Sequence, residues 1–103
     1  MMIVLASCGN GYCGCESEEV FYYDENTSSR TIDEDIYDWA CDRAEGYAWC
    51  HFGYHTDYTE EDWDNYIENH VWMNWHEASY QEYLEWCKNW NYSPKTVEEL
   101  KGN

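Results

Sequence analysis

The sequence predicts an α+β fold, in which an N-terminal pair of β-strands packs against three to four short helices. Two observations predict it. A short β-branched run, Met2–Ala6 (MIVLA), stops at a Gly-rich stretch and is followed by a second strand-like run, Glu19–Tyr23 (EVFYY). Downstream, three Ser or Thr residues are each followed three positions later by an acid, just ahead of apolar residues at helical spacing. The chain has 103 residues, which suits one domain spanning 1–103.

Met2–Ala6 reads as a buried strand, and Gly9–Gly14 as a turn that lets Glu19–Tyr23 return beside it as a hairpin. Asp24–Ser29 is a polar loop. Thr31 with Glu34 matches a capping box, and Ile32, Ile36, Ala40 and Ala44 follow at four-residue spacing, with Tyr47 continuing the stripe. Trp49–Asp57 is aromatic and irregular. Thr59 with Asp62 opens a second helix, whose apolar side is Trp63, Tyr66, Ile67 and His70. Val71–His76 alternates in the manner of a strand. Ser79 with Glu82 opens a third helix bearing Tyr80, Tyr83, Leu84, Cys87 and Trp90. Ser93-Pro94 predicts the start of a short last helix, which Val97 and Leu100 tuck against the body.

Composition sets the limits on function. Twenty-two acids face five bases, for a net charge of −17. Between Thr31 and Cys87 the only base is Arg43, against fifteen acids. A polyanion is repelled by such a surface, because nucleic-acid affinity rests on basic residues at phosphates. Direct nucleic-acid binding is therefore not expected, and a basic protein surface is. The chain is 44% hydrophobic and 19% aromatic, too apolar for a disordered acidic tail. Its core is expected to be built on Tyr and Trp. Solubility alone asks for far less charge, a magnitude of about 2–8 for a small domain.

No run reaches the roughly 18 apolar residues of a membrane helix. Met1–Ala6 is too short for the apolar stretch of a signal peptide. A cytoplasmic protein with reduced thiols is the expectation. Six cysteines are present. Cys8, Cys13 and Cys15 fall in the Gly-rich region, and Cys50, His51 and His55 in the irregular one. Cys8, Cys13, Cys15 and Cys50, or His51 in place of the last, form the candidate ligand set for a structural zinc. Their spacing matches no familiar zinc pattern, so a zinc-stabilised scaffold or regulatory module stands as the alternative reading. Cys41 and Cys87 fall on inward helix positions and read as core.

No catalytic set is found. An acidic surround raises a thiol's pKa and opposes its activation as a nucleophile. Neighbouring carboxylates are inevitable with this many acids, and no calcium-loop or phosphate-loop pattern appears. The protein is not expected to be an enzyme.

What remains is a pattern of acids interleaved with Tyr and Trp. On a helical wheel Asp35, Asp38, Asp42 and Glu45 fall on one side, opposite the apolar stripe, along roughly 15 Å of helix. Glu60, Glu61, Asp62 and Asp64 crowd the start of the second helix. Helix-borne carboxylates three or four residues apart lie about 5–6 Å from one another. That spacing is comparable to the spacing of phosphates along a nucleic-acid strand, so such a face fits a groove built for phosphates. These eight acids are the candidate partner-binding residues. In size, charge and aromatic content the whole chain resembles small acidic phage proteins that inhibit bacterial defence, including anti-restriction DNA mimics and many anti-CRISPR proteins. Those proteins share no common fold or motif, so the resemblance transfers no individual residue. It implies a stoichiometric inhibitor of a nucleic-acid-binding defence nuclease, acting in the cytoplasm of a bacterial host.

Overall fold

The computed structural model describes residues 1–53 and 57–101. In chain order its elements are β1 (Met2–Gly9), β2 (Glu16–Tyr23), α1 (Ser29–Gly46), α2 (Trp49–Phe52), α3 (Glu60–His70), β3 (Trp72–Ala78), α4 (Tyr80–Asn89) and α5 (Val97–Leu100). The α+β expectation holds. The strand pair gains a third member, because β3 pairs antiparallel with the other side of β1 and the sheet order is β2-β1-β3.

Strand β1 is thus central, and its sequence says why it reads as a continuous apolar run. Successive side chains point to opposite faces, and both faces are covered. Ile3 and Leu5 pack with Val20, Ala78, Tyr83, Cys87 and Leu100 toward α4 and α5. Val4 and Ala6 pack with Ile32 and Ile36 of α1 on the other face. A third cluster, Ala44, Ala48 and Tyr66, joins the end of α1 to α3. Every residue of the predicted α1 stripe from Ile32 to Ala44 is buried.

The expected aromatic core is corrected. The buried residues are mainly aliphatic, joined by Tyr66 and Tyr83, and no Trp is among them. An indole is too large to disappear into so thin a domain, although the Nε1 atoms of the half-buried Trp39 and Trp86 are themselves enclosed without a hydrogen-bond partner among the described residues. Trp75, at the margin, does find one, donating from Nε1 to Asp33 Oδ1 at 2.6 Å. The two buried tyrosines do satisfy their hydroxyls. Tyr83 Oη lies 2.8 Å from Tyr22 Oη and accepts from the Lys95 amide at 2.7 Å.

Helix starts follow the expected chemistry with shifts that have identifiable causes. The cap of α1 is Ser28, whose Oγ accepts from the Thr31 amide at 3.2 Å. Thr31 is therefore already inside the helix, and Glu34 pairs with Arg30 at 3.2 Å instead of closing a box. In α3 both halves of the Thr59–Asp62 box form. In α4 Ser79 caps the Glu82 amide, while the Glu82 carboxylate turns to His76 Nε2 at 2.8 Å. The last helix begins at Val97, with a Thr96–Glu99 box, and not at Pro94. The Lys95 backbone is already held on both sides, its amide by Tyr83 and its carbonyl by the Tyr80 hydroxyl, so residues 93–95 stay outside the helix. Within the stretch expected to be irregular, Trp49–Phe52 forms a single helical turn.

The body is elongated, 50 × 29 × 18 Å, with a radius of gyration of 16.0 Å. A spherical domain of this length would measure about 13 Å. Among the described residues no helix is long and apolar enough to cross a membrane.

Ile36 is fully buried against β1, so Ile36→Ala is expected to cost about 2–4 kcal/mol of unfolding free energy, while the adjacent surface change Asp38→Ala costs under about 0.5. Urea unfolding of both variants measures the contrast.

Candidate interaction surface

The surface begins with α1. Its apolar stripe faces β1, which turns Asp35, Asp38, Asp42 and Glu45 outward, and all four are exposed. They are not equivalent. The Tyr23 hydroxyl of β2 donates to Asp35 Oδ2 at 3.1 Å, and Trp75 of β3 donates to Asp33. The first half of α1 thus straddles the sheet, with one carboxylate tied to each edge strand. Burial and the Asp35 bond together push the Tyr23 phenol up to about 12, so it stays a donor. Asp38, Asp42 and Glu45 lie beyond these ties, and their carboxylates have no hydrogen bond or ion pair among the described residues.

On α3, Glu60, Glu61, Asp62 and Asp64 are also exposed. Asp62 serves the helix itself, its carboxylate accepting from the Thr59 amide at 2.9 Å. Glu60 and Glu61 share that first turn, where the helix dipole favours negative charge. Of the eight candidates, Asp35 and Asp62 therefore have structural partners, and the other six project into solvent.

A buried polar node sets α3 against α1. Asn10, 1% exposed, donates from Nδ2 to the Tyr47 carbonyl at 3.2 Å and to Tyr66 Oη at 3.1 Å. Tyr66 Oη donates in turn to the Ala44 carbonyl at 2.8 Å. The Asn10 Oδ1 accepts from the Tyr12 amide at 3.2 Å. The β1–β2 turn, the end of α1 and the middle of α3 are thereby fixed together. Between the two helices a cleft remains, lined by Tyr37, Ala40 and Cys41 of α1 and by Ile67 and Glu68 of α3. Glu68 was not among the sequence candidates. Its signal was present in the four-residue step from Asp64, but only the packing of α3 on α1 shows which way that step faces.

Beside the node lies a cluster of rings. His51 stacks on Tyr66 with centroids 4.9 Å apart and lies 4.5 Å from the His70 ring. The Tyr12 hydroxyl is 2.8 Å from His51 Nδ1. His55 lies outside the described residues.

The cysteines differ from expectation. Cys15 and Cys50 form a disulfide, in place of the reduced thiols anticipated. Thirty-five positions separate them, and only the return of the chain through α1 brings Cys50 to the β1–β2 turn. The four-cysteine ligand set is therefore divided. Cys15 and Cys50 are bonded to each other, Cys8 is buried beneath α1, and Cys13 is exposed. Burial pushes the Cys8 thiol up to about 11 despite the nearby Arg43. Among the described residues no group of three or more His, Cys, Asp or Glu side chains is placed to hold a metal ion.

No family model matches the chain, and neither a curated protein nor a solved structure is detectably similar to it.

Two measurements check this arrangement. Denatured but unreduced protein should show four reactive thiols out of six, and reduction should cost up to about 4 kcal/mol, the loop-closure entropy of a 35-residue loop. Burial, then the neighbouring His70, hold the His51 imidazole below its ordinary 6.5. The unfolded chain takes up that proton first, so the His51 contribution is complete above pH 6.5 and is lost as pH falls through the lower folded value. Between about pH 8 and pH 6, His51→Gln should lose less stability than the wild type, as read by denaturant midpoints.

Proposed function

We propose that this protein is an acidic inhibitor that binds the basic nucleic-acid-binding surface of a bacterial defence nuclease, in the manner of anti-CRISPR proteins and DNA mimics. The observation that carries the reading is the arrangement of carboxylates. Asp38, Asp42 and Glu45 on α1 and Glu60, Glu61 and Asp64 on α3 are exposed on a narrow body 50 Å long. Carboxylates held on rigid helices can meet Arg and Lys that otherwise hold phosphates, through charge-assisted hydrogen bonds. A net charge of −17 steers such an encounter and makes it fast.

Exposed aromatics support the same reading. Tyr37, Trp49, Tyr58 and Trp72 are all at least 40% exposed on or beside these helices. Tyr and Trp are enriched among residues that dominate binding energy. The inhibitor acts by occupancy and carries no chemistry of its own.

The test is capture of defence nucleases, with and without guide, at low and high salt and with competing duplex DNA. Salt-sensitive capture displaced by DNA is the expected result. Joint reversal of Asp38, Asp42, Glu45, Glu60, Glu61 and Asp64 to Lys should slow association about tenfold or more while circular dichroism stays unchanged. Association that neither salt nor these reversals affects would overturn the proposal.

A further inference from the structure

The cleft between α1 and α3 has a volume of about 300 Å³ and a chemically mixed lining. Ala40, Ile67, Val71 and Met73 make its wall apolar. Glu68 supplies one carboxylate, and Tyr37, 51% exposed, supplies an aromatic face at the rim. The neighbouring Cys41, then burial, then the charges of Glu68 and Asp38 hold the Tyr37 phenol above its ordinary value.

This lining discriminates among occupants. A purely apolar group would strip water from Glu68 and offer nothing in return, which is costly for a carboxylate. An anion meets the Glu68 carboxylate on a chain of net charge −17 and is repelled. A small ammonium pairs with Glu68 but leaves the apolar wall wet. A long cationic side chain satisfies all parts, with its methylene stem on the wall and its head at the carboxylate. Arginine fits better than lysine. Its flat guanidinium stacks on an aromatic ring and gives two parallel N–H groups to one carboxylate.

We infer that the Tyr37–Glu68 cleft is the receiving pocket for an arginine side chain projected by the basic partner. The inference rests on the partner being a basic protein surface, and not on which nuclease it is. It also gives Glu68, itself exposed, a selecting role that the acids away from the cleft lack.

The probe is a capped Gly-Arg-Gly tripeptide, titrated into the isotope-labelled full chain and followed by amide chemical shifts, with its citrulline counterpart as the neutral control. Saturable shifts are expected at Tyr37, Cys41, Glu68 and Val71 with arginine and not with citrulline. Glu68→Gln should weaken binding about tenfold, the value of one lost charge-assisted pair. Glu98→Gln on α5 should change nothing. Tyr37→Leu gives a second variant that leaves every charge in place, and it should weaken binding a few-fold. Equal shifts along all acidic faces, equal binding of citrulline, or an unchanged affinity in Glu68→Gln would overturn the inference. Cleft-specific peptide binding without capture of any nuclease would keep the pocket and remove the defence-nuclease reading. Nuclease capture that is salt-sensitive yet identical in Glu68→Gln, with no cleft shifts, would do the reverse.

Discussion

The Asn10 side-chain amide is the interaction on which the rest of the arrangement depends. It is buried, and each of its hydrogen bonds reaches a different part of the chain. One goes to the end of α1, one to the centre of α3, and one back to its own turn. Helix α3 packs on the domain mainly through Tyr66 and its apolar neighbours, not through the sheet. Apolar contact alone tolerates sliding, whereas the bonds from Asn10 to Tyr66 and from Tyr66 to Ala44 admit one position. Losing the amide would leave buried polar groups unpaired, at about 1–3 kcal/mol each. The position of Glu68 opposite Tyr37 follows from that fixed position.

The same economy governs the charge. A chain at −17 must limit self-repulsion to stay folded. Many of its carboxylates answer a local need. Glu60, Glu61, Glu98 and Glu99 lie at helix starts. Asp33 and Asp35 accept from ring donors on the edge strands, and Glu34 and Glu82 pair with Arg30 and His76. Elongation separates the remainder. The acids without internal partners are left to solvent.

Much of this was legible in the sequence because it is local. The strand run Met2–Ala6, the α1 stripe and the Thr59 box each follow from neighbours in the chain, and each is found where expected. Capping positions shifted where a competing acceptor or donor was nearer, as at Ser28 and Thr96. What could not be read depends on distant partners. The pairing of β3 with β1, the Cys15–Cys50 bond and the Asn10–Tyr66 bond all join residues far apart in sequence. Of the candidate site, the exposure of the acids was legible from the wheel, whereas Glu68 and the cleft were not. A carboxylate beside a cleft and one away from it look alike until the second wall is in place.

The central place of β1 has a consequence for how the protein is made. This strand leaves the ribosome before the segments that enclose it. Its hairpin partner β2 and the covering α1 arrive soon afterwards, but β3 and α4 follow roughly seventy residues later, a separation that slows folding. Until then one edge and one face of the most apolar strand in the chain stay uncovered. Nascent chains in that interval present an open edge to one another, the situation that favours strand-to-strand aggregation. Like charge on every copy works against that association, so the acidity of the finished surface also protects its synthesis.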